Sequence, residues 1–231
     1  MSSVSPLRLA AAGTLALTVL LSGCSVLQIR TEDKDAGPVR VGVQKTPGPE
    51  PTDKPTDAGI PEGMSKKTIS LGDSCPVTIS FALGDDWTGG AGDTDKFRVF
   101  HRGSDSRDSD VILINCSEDF GGSAQAIIDS KRKYTFDGKG SQVLSETTGS
   151  LNAGEYWSFQ GELGSSEILA INSQPTLMYG VQTGYTINGR LVNLSIEMRA
   201  VKEHAKADED FKKMLPTVTI GGQKVPAPTF R

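Results

Sequence analysis

Two long alternating stretches joined by Asn188-Gly189 constrain this chain more than any other feature. From Arg190 to Val201, the side chains of Val192, Leu194, Ile196 and Met198 fall on one face of an extended backbone. Asn193, Ser195, Glu197 and Arg199 fall on the other. From Leu177 to Asn188, the set Leu177, Tyr179, Val181, Thr183 and Tyr185 alternates with Met178, Gly180, Gln182 and Gly184. Period-two alternation is the signature of a strand. Asn-Gly is the pair a two-residue hairpin turn demands, because both central residues need positive φ. The chain is thereby committed to an antiparallel sheet.

Other segments fit around that hairpin. Cys75, Val77, Ile79 and Phe81 share one face of a strand, and Phe97–His101 reads as another. Val111–Ile114 is apolar on both faces, which predicts an interior strand. Ser141–Thr148, Glu155–Leu163 and Glu167–Asn172 complete the set. Two helices interrupt. Ser123 caps the first, which carries Ala124, Ile127 and Ile128 on one side and Lys131, Arg132 and Lys133 near its end, where cations suit the dipole. The second runs from Ala205 to Leu215, with Ala207, Phe211, Met214 and Leu215 in one stripe, and Pro216 stops it. Strands and helices in this order predict an α+β fold: a mainly antiparallel β-sheet with helices packed on a face. Residues 66–222 are long enough for one stable domain, with 223–231 as a C-terminal tail.

The N-terminus is an address. Arg8 is the only charge before a mostly apolar stretch from Leu9 to Leu21. This is the pattern of an export signal, too short to remain as a membrane span. It ends in Leu21-Ser22-Gly23-Cys24, which resembles the lipobox of bacterial lipoproteins. The resemblance implies cleavage after residue 23 and a thioether-linked diacylglycerol on Cys24, with palmitate-type acyl chains in the cell membrane and the protein on the extracytoplasmic face. Two acyl chains anchor stably where one does not. An ordinary secretory signal with a stray cysteine is the alternative. Loss of residues 1–23 leaves 23 cations against 28 anions, a net charge of −5. No basic stripe offers itself to nucleic acid, and nothing pulls the mature chain onto anionic lipid, so the lipid itself must anchor.

Residues 24–65 change character. Pro38, Pro47, Pro49, Pro51, Pro55 and Pro61 are half of the 12 prolines, set among Gly, Asp, Glu, Lys and Thr. Such a segment cannot bury enough apolar surface to offset its ordering entropy. It reads as a disordered tether, and at roughly 3 Å per residue it spans up to ~100 Å.

With Cys24 lipidated, Cys75 and Cys116 remain, and in an exported domain two cysteines most simply pair. No C-x-x-C occurs and the chain has 2 histidines, His101 and His204, so no metal site or cofactor is expected. Asp85, Asp86, Asp93, Asp95, Asp105, Asp108 and Asp110 make acidic loops, but Arg102 and Arg107 interleave and the spacing is not that of a calcium loop. Asp137-Gly-Lys-Gly-Ser141 lacks the first glycine and the hydroxyl of a phosphate loop. Leu71-Gly72-Asp73-Ser74 is similar to the start of the SGNH hydrolases. A serine nucleophile needs a histidine base oriented by an acid, and the family's late Asp-x-x-His is not matched, since Val201 stands three residues before His204. The candidate binding residues are aromatic: Tyr156, Tyr179 and Tyr185, which suit a half-wet groove, and Trp87 beside it. Ordinary core packing is the alternative for all four.

Several of these features together resemble the PsbP-like domain of actinobacterial cell-envelope lipoproteins, the LpqN/LpqT type. They are the lipobox and tether, the strand followed by Gly84-Asp-Asp-Trp87, the apolar strand Val111–Ile114 before the first helix, and the final strand Arg190–Val201 followed by the helix segment Asp208–Leu215. The resemblance implies an α-β-α sandwich over residues 67–222 and no catalytic residue. It implies a module that binds a ligand or partner, an envelope glycolipid or a membrane protein. The expectation is a membrane-anchored, non-catalytic binding module. A serine esterase using Ser74 and a purely structural envelope protein are the alternatives.

Overall fold

The computed structural model describes residues 59–90, 92–103, 110–119 and 122–231. The signal segment, Cys24, most of the tether, and Asp105, Arg107 and Asp108 of the acidic loops lie outside the described residues. In chain order the elements are β1 (Met64–Ser70), β2 (Thr78–Gly84), β3 (Thr88–Gly89), β4 (Phe97–Arg102), β5 (Asp110–Glu118), α1 (Ala124–Tyr134), β6 (Gln142–Leu151) and β7 (Gly154–Leu163). They continue with β8 (Thr176–Ile187), β9 (Arg190–Val201), α2 (Ala205–Met214), β10 (Thr219–Ile220) and β11 (Gln223–Lys224).

The hairpin expected at Asn188-Gly189 is the spine of the molecule. β8 and β9 pair along their full length, from Thr176 opposite Val201 to Ile187 opposite Arg190. The turn residues take φ of 50° and 77°, the left-handed values that Asn and Gly tolerate best. Around this spine a seven-stranded antiparallel sheet forms in the order β3-β4-β5-β9-β8-β7-β6. A second, small sheet has the order β1-β2-β10-β11. The fold is α+β, as the periodicity predicts.

Two cores result. On one face of the large sheet, α1 covers β7 and β8. Its Ile128 packs with Trp157, Phe159, Leu163 and Met178, and Phe136 closes the cluster. Ser123 caps the helix, its Oγ accepting from the Ala126 N–H at 3.2 Å. Arg132 on α1 donates to Glu146 at 2.6 Å, and Trp157 Nε1 donates to the same carboxylate at 2.7 Å. The Arg132 hydrogen bond is the main reason that Glu146 ionises below the usual carboxylate range.

On the opposite face lie α2, the small sheet and the chain's last residues. Phe211, Met214, Phe81 and Ile79 meet Tyr179, Val181, Ile196 and Ile114 there. Cys75 and Cys116 are joined, Sγ to Sγ at 2.05 Å. The bond ties the segment before β2 to β5.

Four features depart from the periodicity reading. Glu167–Asn172 is not a strand: it is turn, followed by a 3-10 turn at Ile171–Ser173. Both edges of β8 are already taken by β7 and β9, and the Ile171 N–H is satisfied instead by Thr176 Oγ1 at 2.8 Å. The strand begun at Cys75 starts at Thr78, because Pro76 has no N–H to give a ladder. β1 begins at Met64, inside the segment read as tether. Its run Ser65–Thr68 is exposed, so no alternation marks it. The last nine residues are not a tail. Val225 is buried and Phe230 packs on Tyr179, ring centroids 5.8 Å apart. The backbone of Arg231 exchanges two hydrogen bonds with the Gln160 side chain, at 2.9 and 3.1 Å.

Candidate binding face

The four aromatic candidates do not converge. Tyr179 is fully buried: its hydroxyl donates to Asp208 on α2 and accepts from Gln160 Nε2 at 2.8 Å. Burial, and then Asp208, push its ionisation far above the ordinary tyrosine range. The expected open tyrosine face is thus covered by α2 and the C-terminal residues. Tyr156 lies buried on the same face, one strand away. Trp87 is buried at the far edge of that core, 6.0 Å from the Phe211 ring with Arg102 stacked 5.0 Å above it. Only Tyr185 of the four is partly exposed. It lines an open hollow of about 580 Å³ with Val77, Ile187 and Gly221.

Ser74 and the histidines are kept apart. Ser74 donates to Asp95 at 2.7 Å. Its neighbour Asp73 is bonded to Arg190 at the start of β9, whereas His204 follows the end of β9 and pairs with Asp110 at 2.9 Å. Twelve strand residues separate the two places, about 36 Å at ~3.3 Å per residue. His101 sits at the His204 end as well, opposite Val111. No described histidine can serve Ser74 as a base.

The open surface is elsewhere. α1 shields β7 and β8, and among the described residues the same face of the sheet carries no helix over β4 and β5. That is why β9 reads apolar on one side and polar on the other. In register across this uncovered half lie Val99 opposite Leu113 and Leu113 opposite Glu197, and Glu197 then meets Gly180 of the shielded β8. The apolar doublets of Val111–Ile114 therefore have two causes: Ile112 and Ile114 fill the core, while Leu113 is only half-buried on the open face.

Arg199 stands at the edge of this face. With Val99, Leu113, Leu169 and Ile171 it lines a depression of about 280 Å³. Its Nη1 donates to the Leu169 carbonyl at 2.9 Å. Among the described residues its buried Nε has no partner. Burial lowers the Arg199 pKa, and Glu197 opposes that shift only in part. Glu197 is itself engaged by Gln182 Nε2 at 3.2 Å, and the buried Oε1 of Gln182 has no partner among the described residues. An unpaired buried donor costs about 1–3 kcal/mol. A ligand oxygen brought to the Arg199 guanidinium would pair with its charge, and the apolar walls would take up its hydrocarbon. Alternation marked Arg199 only as outward-facing; which outward half lacks a covering helix was not legible in it.

No family model matches the chain, and no curated protein matches it. Solved structures do. LpqN of Mycobacterium tuberculosis, involved in cell envelope biogenesis, is 15% identical with a TM-score of 0.50, over 68% of this chain and 91% of that one. The Saccharomyces cerevisiae Ran-binding protein Mog1p is 13% identical with a TM-score of 0.39, over 68% of this chain and 96% of that one. The cyanobacterial PsbP, CyanoP, from Synechocystis is 12% identical with a TM-score of 0.39, over 68% and 92%. The domain is similar in fold to LpqN, an antiparallel α+β fold.

Proposed function

We propose that this chain is a membrane-anchored extracytoplasmic lipoprotein whose domain is a non-catalytic binding module, not an enzyme. Its ligand would lie on the uncovered half of the large sheet, around Arg199. The lipobox at Cys24 and the tether support the anchoring, and the fold likeness to an envelope-biogenesis protein agrees with the location. The observation that carries the site is Arg199, whose Nε has no partner among the described residues, lining a depression otherwise walled by Val99, Leu113 and Leu169. That pairing of one cation with aliphatic walls suits an amphiphile: an acidic or carbonyl oxygen at Arg199 and an acyl chain along the wall. An envelope glycolipid has this chemistry. No described histidine lies within reach of Ser74, so the esterase reading has no support from the site.

The test has two parts. Labelled palmitate should appear on the wild-type chain in its host and vanish in Cys24→Ser. Separately, the full chain should bind an envelope glycolipid extract saturably, and Arg199→Met should weaken that binding about tenfold or more, the scale of one charge-assisted hydrogen bond. Binding that is absent, or indifferent to Arg199→Met, overturns the site.

A further inference from the structure

Among the described residues the exposed large hydrophobic side chains are Tyr134 (57%), Val143 (37%), Ile168 (98%) and Leu169 (38%). The topology gathers all four at one end of the molecule. β4 ends there at Arg102, β5 starts at Asp110, β7 ends at Leu163, β8 starts at Thr176 and β9 ends at Val201. Ile168 and Leu169 lie in the β7–β8 connection at that end. α1 begins over Gly184, near the other end of β8, where Gly184 abuts Ala124. It therefore delivers Tyr134 to this end. Val143 lies opposite Gly161, two residues before the close of β7. The segment after α1 and the β7–β8 connection are joined, since Ser141 Oγ is 3.3 Å from Glu167 Oε1 and accepts from the Gly164 N–H at 3.0 Å.

The chain also enters the domain at this end. Met64, the first residue of β1, lies opposite Gly84. The turn that follows Gly84 carries Asp86, 3.4 Å from Arg102. Everything N-terminal to the domain, Cys24 included, is thus attached at the end that bears the exposed apolar side chains. The Asn188-Gly189 and Asn152 turns lie at the opposite end.

We infer that this end docks on the membrane, with Ile168 and Leu169 entering the interface and Tyr134 and Val143 beside them. The inference rests on the anchored reading for the presence of a membrane, and on nothing about the Arg199 ligand. A single apolar side chain on a surface is ordinary; a loop tip holding an almost wholly exposed Ile next to Leu, on the attached end, is a contact in want of a partner. The occupant is the lipid interface rather than a protein because the chain that carries Cys24 leaves the domain from this end. Charge is not the driving term. Lys133 lies over the Tyr134 ring at 4.8 Å and Lys139 is exposed, but Asp137 and Glu167 stand close by, Lys202 is spent on Glu162 at 2.8 Å, and Arg132 on Glu146. Docking should therefore occur on zwitterionic lipid and persist in salt. Leu169 also lines the Arg199 depression, so a docked loop turns that depression toward the lipid.

The experiment uses the full chain reconstituted in phosphatidylcholine vesicles with brominated acyl chains. The chain is held there by acylated Cys24. A tryptophan is placed at Ile168→Trp, at Tyr134→Trp, or at Asn152→Trp on the opposite end. The expected result, taken as the difference from the wild-type chain with its buried Trp87 and Trp157, is blue-shifted emission and roughly twofold or greater quenching at 168, a smaller effect at 134 and none at 152, because an interfacial side chain sits ~5–10 Å into the headgroup–acyl boundary. Water-like, unquenched emission at 168 overturns the inference and points to a protein partner. Equal quenching at 168 and 152 overturns it as non-specific adsorption. The mass of the Cys24 peptide reports acylation independently, so failure of docking and failure of the lipoprotein reading are separate outcomes.

Discussion

Arg102 at the end of β4 closes on Asp110 at the start of β5, its Nη2 2.6 Å from the carboxylate Oδ2, with both side chains largely buried at 13% and 7% exposure. The same guanidinium reaches Asp210 of α2 at 2.6 Å and covers the Trp87 ring. His204 takes the other Asp110 oxygen at 2.9 Å. Burial pulls the Arg102 pKa down, but the aspartates outweigh it and the guanidinium is held charged. One cation therefore clasps two sheet strands, α2 and the turn after β2.

Asp110→Asn should cost about 3 kcal/mol, the lower range for breaking a buried pair, because Asp210 still holds Arg102. Asp86→Asn should cost under about 1 kcal/mol, since that carboxylate is 39% exposed and solvent screens it. Urea unfolding of the two variants side by side checks the contrast. Equal costs would mean that the clasp does not act through burial.

Tyr179 makes stability fall at high pH. Its ionisation in the folded chain stands above the unfolded value of about 10. Between those limits the unfolded chain loses a proton that the folded chain keeps. The contribution is complete below pH ~10 and declines as the pH rises above it. Tyr179→Phe should flatten that decline and cost about 1–3 kcal/mol at neutral pH, where Asp208 and Gln160 lose a partner. Denaturant midpoints measured from pH 8 to 11 give both numbers.

Gly184 is the contact point between α1 and the sheet. A Cβ there would lie 2.5 Å from the Cα of Ala124 and 2.6 Å from its carbonyl oxygen, both backbone atoms that cannot rotate away. Gly184→Val should lift the start of α1 and cost about 3 kcal/mol, as overpacking does. Amide exchange at Ile127 and Ile128 should accelerate while β5 and β9 hold. Unchanged exchange would refute the contact.

Local pattern was enough for the spine. Val192 to Met198 alternate, Asn188-Gly189 turns, and β9 forms with the bounds the alternation marks. Ser123 and the cations after Ile128 placed α1, and Phe211 and Met214 placed α2, because a helix writes its buried stripe into the sequence. The short β10 and β11, and the Lys-rich β1, left no such mark, since few of their side chains repeat on one face.

The tyrosines show the boundary. Alternation put Tyr179 and Tyr185 on one face and Met178 and Gln182 on the other. It could not say that α2 and the final residues would close over Tyr179 while, among the described residues, no helix covered β4 and β5 on the opposite face. A period of two reports that a residue points to one side; whether that side is wet depends on which distant segment arrives there. The chain's own order of residues determined the antiparallel sheet, its hairpin register and its two helices, because those depend on neighbours a few positions away. Only the tertiary structure decided that Arg199 keeps a buried donor unmet among the described residues and that Ile168 stands exposed at the end where the chain enters, because both depend on packing between residues far apart in sequence.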